Sequence, residues 1–471
     1  MVQLTGTGLR SHPIPLYLGL GLEFAWWYWF MSCVNTLDPG LVAWCPRPLT
    51  GLQGLAMLLI TLATARILRS DALQSRLDLP MSLLLLVASL LVGLPLGSEG
   101  ASPRCGIALL LAALGTAWCY IRWSGIYRPL SVKVTLISAF SCFIVGTVLK
   151  VIMWVLPPAG SLAAACCCAV VIFPVAGWLA RWAASQSAEI PSKPGRAAYT
   201  ADTSFTAKVF VCLLVFSLVE TVIPTALVVS TTASSSFDFL VEQAVVMVLS
   251  VLVIVWVVAS GDEPNVGAFW KWLLGVTGVL CVLVAALPGF KLNGVLVHAL
   301  FSVLWLFLWV TLVNAARISS MGFYRFVGLG SALSWIPYAV GSIIVQTLHV
   351  QDLSHSLLLA SYVALSLTVI VCTDSRDTDV RAIFSSARGS AVPPEVAHTL
   401  EERCAALGAA HGLTEREIEV LGYLGRGRSR TFIAEALLIS ESTVKAHTTH
   451  LYRKLGVAGK QELLSLLEQV A

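Results

Sequence analysis

Within residues 442–456, STVKAHTTHLYRKLG, the residues Lys445, Thr449 and Arg453 recur at intervals of four. In a helix that interval gathers them on one face, with Ala446 and His450 alongside. Val444, Thr448, Leu451 and Leu455 follow a 4-3-4 spacing that predicts a core-facing stripe on the other side. So polar a face is unsuited to lipid and suited to a nucleic-acid groove. The Lys445 ammonium can donate to guanine edges, and Thr449 offers a hydroxyl and a methyl to a base edge or a thymine methyl. Ala446 is small enough to let the helix approach the groove floor. Arg453 and Lys454, late in the helix, are placed for phosphates. Ser442, Thr443, His450 and, upstream, Arg430 complete the expected DNA-binding set.

A second group of candidates lies in apolar surroundings. Glu23 sits beside FAWWYWF (24–30), Glu220 stands four residues before Pro224, and Lys150 lies within the apolar run 131–153. A charge at a bilayer centre costs about 2.5–3.5 kcal/mol on insertion scales, so such groups are functional candidates. Glu23, Trp26, Trp27, Glu220 and Lys150 are therefore the expected ligand-binding residues. Asn314, Gln346 and His298 are further polar candidates, and Trp305, Trp309, Trp335 and Tyr338 could supply aromatic walls. Structural alternatives stay open. Glu23 could be protonated or paired with another helix, the tryptophans could form interface belts, and Lys150 could snorkel to the surface.

These residues need elements to hold them, and the composition says which kind. Of 471 residues 57% are hydrophobic and 12% charged, about half the charge of an ordinary globular chain. Mean hydropathy is +0.83. A bilayer core of about 30 Å takes about 20 apolar residues per helix. The sequence predicts twelve such spans: 14–34, 49–68, 79–97, 105–121, 131–153, 161–181, 206–229, 239–259, 268–288, 294–315, 325–347 and 353–373. An even count puts both termini on one side. On the terminus side the short loops carry fourteen cations, from Arg10 through Arg66, Arg76, Arg122, Lys193 and Arg317 to Arg325. The other side carries Arg47, Arg104, Lys150 and Lys291, so the positive-inside rule predicts cytoplasmic termini in the inner membrane. Residues 1–13 lack a cleavable signal pattern.

No enzyme is expected. The sequence has no G-x-x-x-x-G-K-[ST], H-E-x-x-H or G-x-S-x-G. The twelve cysteines lack zinc spacing and read as small hydrophobes. No cofactor and no metal are implied.

After residue 373 the composition changes. Residues 374–411 read as a linker, interrupted by Pro393-Pro394, with an amphipathic stripe of Val396, Leu400, Cys404 and Leu407. Residues 412–471 divide into four helices. Thr414-Glu415-Arg416-Glu417 is a capping box, with Leu413 and Ile418 as its hydrophobic staple; Gly425 and Gly427 end that helix. A second helix starts at Ser429, Ser440 caps the third, and the fourth covers 459–470. A short helix, a tight turn at 438–440 and a basic helix make a helix-turn-helix pattern.

Leu413, Thr414, Arg416, Glu417, Glu419, Val420 and Leu421 begin a longer match that continues through Gly427, Ser429, Ile433, Ala434 and Leu437. It ends with Ile439, Ser440, Thr443, Val444, Lys445, His447 and the run Lys454-Leu455-Gly456-Val457. This pattern resembles the LuxR/NarL-type DNA-binding domain. The resemblance implies double-stranded operator DNA as partner, Lys445, Ala446 and Thr449 in base-facing positions, and the fourth helix as a dimerisation surface. It departs at Arg430-Thr431-Phe432 and at Thr449, where a lysine is common. From residue 400 onward nine Lys/Arg balance nine Asp/Glu. Because affinity grows with the number of phosphates neutralised, modest intrinsic affinity is expected.

The polar break at 183–204 divides the spans six and six, with halves 1–182 and 205–373. That layout resembles the major facilitator superfamily, although RILRSDALQSRLD (66–78) departs from its usual cytoplasmic signature. The expected fold is thus all-α: a twelve-helix, major-facilitator-like bundle over 1–373 followed by a four-helix LuxR-type domain. The whole resembles membrane-anchored LuxR-type regulators. That implies a one-component regulator sensing a small molecule through the bundle, with membrane lipid and RNA polymerase as further partners. The alternative is a secondary transporter with an accessory DNA-binding domain.

Overall fold

A computed structural model describes residues 12–44, 48–63, 70–96, 101–188, 236–260, 293–317, 321–347, 411–425 and 439–457. It also describes parts of 207–221 and scattered positions at 68, 319, 404, 407, 408, 433, 434, 437, 459, 462, 463 and 466. Every element among the described residues is helical. The chain separates into two compact units, Met1–Ala391 and Val392–Ala471.

The first unit contains α1 (Gly19–Leu37), α2 (Pro39–Trp44), α3 (Pro48–Ala63), α4 (Asp71–Gly93), α5 (Ala101–Tyr127), α6 (Val132–Val155) and α7 (Pro158–Ala188). After the helical positions at 209–218 come α8 (Ser236–Ala259), α9 (Asn293–Ala315) and α10 (Phe323–Thr347). Seven of these, α4 to α10, are long and apolar enough to cross a membrane. Leu59, Leu79, Val155 and Val248 are exposed on their outer surfaces, as lipid-facing side chains are in a multi-pass membrane protein. The expected spans at 268–288 and 353–373 lie outside the described residues.

Packing inside the first unit follows two seams of small residues. At the α1–α6 crossing, a Cβ on Gly21 would stand 2.5 Å from the Cys142 carbonyl oxygen, and one on Gly146 would stand 2.9 Å from Phe24 Cβ. At the α3–α10 crossing, a Cβ on Gly54 would stand 2.8 Å from Ile336 Cγ1, and one on Gly328 would collide with Thr61. Without a hydrophobic drive between helices in lipid, such close backbone approach supplies the packing energy. The second seam joins the two halves, as does the packing of α6 against α8.

Two elements differ from the sequence reading in an instructive way. The third span begins at Asp71, eight residues before the expected 79, and the fourth runs over 101–127 in place of 105–121. The hydropathy pattern stops at charge, but Asp78 and Arg122 pair inside the bundle, so the helices continue through them. Arg122 is therefore a buried helical residue, 2% exposed, and not a loop cation.

In the second unit, α11 (Glu415–Gly425) and α12 (Glu441–Leu455) enclose a core of Val420, Leu421, Leu424, Val444, Leu451 and Leu455. Ile433 and Leu463 join it from the expected second and fourth helices. Cys404 and Leu407, expected in the linker, are buried in this same core.

Candidate DNA interface and buried polar sites of the bundle

The local sequence sets α12 firmly. Ser440 accepts a hydrogen bond from the Thr443 amide (3.1 Å), and its hydroxyl meets those of Ser442 and Thr443 at 2.7 Å each. Glu441 lies in the first turn and Arg453 and Lys454 in the last, matching the helix dipole at both ends. Gly456, at φ 69°, closes the helix in the left-handed region. Val444, Thr448, Leu451 and Leu455 are buried as the 4-3-4 spacing requires. Ser442, Thr443, Lys445, Ala446, Thr449, His450 and Arg453 are exposed.

The side chains of Lys445 and Arg453 make no hydrogen bond or ion pair among the described residues. Their cations are therefore free for a partner. Thr449 donates its hydroxyl to the Lys445 carbonyl (2.9 Å), which leaves its methyl and one lone pair outward. Lys454 is placed differently from the other candidates. Its Nζ donates to Glu417 Oε2 (2.7 Å) and to the Gly412 carbonyl (3.0 Å). Glu417 also accepts from the Thr414 amide (2.8 Å), and its own amide donates to Thr414 Oγ1 (3.3 Å). The capping box of α11 thus grips the end of α12. Hydrogen bonding from Lys454 pulls the Glu417 carboxyl from its usual 4.5 to about 2, with Thr414 assisting and burial opposing. Arg416 performs a similar service, donating to Glu419 (2.6 Å) and to the Leu437 carbonyl (2.7 Å). Arg430 lies outside the described residues.

In the bundle, Glu23 is 1% exposed and its Oε2 accepts from the Tyr120 hydroxyl of α5 (3.2 Å). Trp26 is buried, donates from Nε1 to Ser89 Oγ (2.8 Å) and stacks on Phe30, so it ties α1 to α4. Trp27 is half-buried against the core. The Lys150 ammonium lies 5.6 Å from the ring centroids of Tyr28 and Phe143. Glu220 lies outside the described residues. His298, a further candidate, meets Glu242 at 2.8 Å between α9 and α8.

The sequence reading overlooked a larger network. Arg122 of α5 donates from Nη2 to Asp78 Oδ2 (3.0 Å) and from Nη1 to Gln74 Oε1 (2.9 Å). Trp118 donates from Nε1 to Asp78 Oδ1 (3.0 Å). Gln74 Nε2 donates to the Leu68 carbonyl (2.9 Å) and to Tyr324 of α10 (3.2 Å), which carries the network into the other half. Arg317 makes a second bridge, donating to the Tyr127 carbonyl (2.7 Å) and to Thr135 Oγ1 (3.3 Å). A signal was present: Gln74/Asp78 and Trp118/Arg122 are both i, i+4 polar pairs facing one another on consecutive helices.

Residues 411–467 match the family described as bacterial regulatory proteins, luxR family. The C-terminal unit carries a LuxR-type DNA-binding helix-turn-helix. Over 58 residues it is 43% identical to the HTH-type transcriptional regulator MalT of Serratia proteamaculans, covering 12% of this chain and 6% of that protein. Over 52 residues it is 44% identical to the oxygen regulatory protein NreC of Staphylococcus aureus strain JH9, covering 11% and 24%. The chain thus spans less than a quarter of the length of either relative. The human organic anion transporter MFSD10 (TETRAN) is similar in fold to the rest, with a TM-score of 0.56 and 12% identity. That likeness covers 76% of this chain and 97% of the transporter. The helical bundle is therefore major-facilitator-like.

Proposed function

We propose that this chain is a one-component transcriptional regulator that remains in the membrane while binding operator DNA through α12. The observation that supports it is the union, on one chain, of a LuxR-type reading helix with free cations at Lys445 and Arg453 and a major-facilitator-like bundle. In this reading Lys445, Ala446 and Thr449 face bases, and Ser442, Thr443, His450, Arg453 and Arg430 border the groove. Lys454 acts from behind by holding Glu417. Both termini are cytoplasmic, in the inner membrane, and the domain pairs through its last helix to gain affinity.

The bundle binds a small molecule, and occupancy changes its arrangement, which residues 374–411 transmit to the DNA-binding domains. Such a ligand must favour one arrangement over the other, because equal affinity shifts nothing. Transcript profiling of cells overproducing the chain identifies the regulated promoter. Replacing residues 1–373 by an unrelated membrane anchor should then fix that promoter's output at one level. A promoter response unaltered by the replacement would sink the sensing role.

A further inference from the structure

Resting on the reading that the bundle binds a small molecule, we propose that its ligand is an organic ammonium with an apolar body. Glu23 would hold it against Trp305, Trp309 and Trp335. Four observations converge. Glu23 is 1% exposed, and while Oε2 takes the Tyr120 hydroxyl, Oε1 is buried with no hydrogen-bond partner among the described residues. A buried acceptor left open in low dielectric calls for a donor or a cation.

Lys150 does not fill that place. It acts on Glu23 through space, but its ammonium stays between the Tyr28 and Phe143 rings, 5.6 Å from each. It forms no ion pair with Glu23 among the described residues.

The aromatic surroundings are the third observation. The Tyr120 ring meets Trp305, Trp309 and Trp335 edge-on, at centroid distances of 5.9, 5.4 and 5.1 Å. A carboxylate from one half and three indoles from the other therefore converge on a single phenol. Finally, the same three tryptophans line a small pocket with Leu213, Leu312, Ser331 and Ser334, with room for about one water until a ligand widens it. Within it Trp309 Nε1 and Ser331 Oγ are buried without a hydrogen-bond partner among the described residues.

The chemistry selects the class. A carboxylate repels an anion, and indole faces carry the negative side of the ring quadrupole, which attracts cations most strongly for Trp. The Ser331 and Ser334 hydroxyls and the Trp309 N–H, set amid indoles and leucines, are too few for a sugar. A ligand held at the open Oε1 of Glu23, beside Tyr120 and the three indoles, touches α1, α5, α9 and α10 at once, so its binding reaches both halves.

The test titrates the full chain in lipid nanodiscs with benzyltrimethylammonium, benzylammonium, benzyl alcohol and benzoate, reading tryptophan fluorescence. The ammonium probes should bind in preference to the alcohol and benzoate. Glu23→Gln should weaken them at least about tenfold without altering benzyl alcohol. Lys150→Met, which removes a neighbouring cation, should strengthen them severalfold. Because the two variants move affinity in opposite directions, misfolding of one cannot imitate the result. Preference for benzoate, ammonium affinity untouched by both variants, or no ammonium binding would each overturn the assignment. If benzoate or the alcohol drives the promoter and the ammonium probes do not, sensing stands and the ligand class fails. If the anchor replacement leaves the promoter response unaltered, sensing itself fails.

Discussion

Lys454 and Arg122 are both cations held by a buried carboxylate, yet the two halves of this molecule use the pairing for different ends. In the DNA-binding unit Lys454 is 32% exposed and needs only Glu417 and one carbonyl, because water completes its shell. In the bundle Arg122 is 2% exposed, its Nη1 and Nη2 donate to Gln74 and Asp78, its Nε stands 3.0 Å from Asp78 Oδ1, and Trp118 donates to the same carboxylate. Water can repair a broken pair near a surface. Lipid cannot, so a charge in the bundle must be surrounded completely or not placed there at all. The small domain leaves the Lys445 and Arg453 side chains exposed and unpaired among the described residues, whereas the bundle pairs Arg122 with Asp78 inside and joins its halves through Gln74 and Arg317.

The largest effect should come from breaking the inner pair. Arg122→Met leaves Asp78 buried without its cation, which should cost about 3–5 kcal/mol. It would be read as lowered thermal unfolding of the full chain in nanodiscs. Adding Asp78→Leu should recover most of the loss. A single variant as stable as the parent would remove the contrast with the water-edge pair.

A smaller loss is expected at Lys454. Lys454→Met should destabilise the C-terminal unit by roughly 2 kcal/mol, since Glu417 loses its partner close to solvent. It should appear as faster hydrogen exchange in α11 and α12, with the bundle unaffected. Acid should act in the same way. The Glu417 carboxyl is held at about 2 when folded and sits near 4.5 when unfolded, so its stabilisation is present above pH 4.5. It is lost as pH falls from about 4.5 to about 2. Exchange protection in α11 that stays constant across that window would contradict the assignment.

The smallest effect sharpens the comparison at one atom. Ser440→Ala removes the cap of α12, a loss of about 1 kcal/mol, visible as fraying of the first turn. Ser442 and Thr443 lose their hydroxyl neighbour together, so DNA affinity should fall slightly as well. Equal protection of the Thr443 amide in variant and parent would show that the cap contributes nothing.

Legibility in the sequence differed between the regions for physical reasons. The capping box at Thr414/Glu417, the Ser440 cap and the Val444–Thr448–Leu451–Leu455 stripe are local features, written within a few turns of one another. They could be read directly. The helical bundle was legible through its apolar runs, but not its charges: Asp78 and Arg122 stand 44 residues apart, and only the packing of α4 on α5 makes them partners. Taken singly, each resembled a loop charge. Glu23 was visible as an anomaly in an apolar run, while its partner Tyr120 was not, because a tyrosine in a span draws no notice. Lys454 was assigned to phosphate from its position late in the helix, and its contact with Glu417 depends on how α11 lies across α12.

The most direct test of a membrane-held reading helix is in-cell DNA footprinting of the native chain beside its Lys445→Ala variant, at matched levels in the membrane fraction. The native chain should show a discrete protected operator. In the variant that protection should be lost or shifted in sequence, since one base contact is worth about 1–3 kcal/mol of discrimination. An identical footprint from both, or none from the native chain at its regulated promoter, would contradict it.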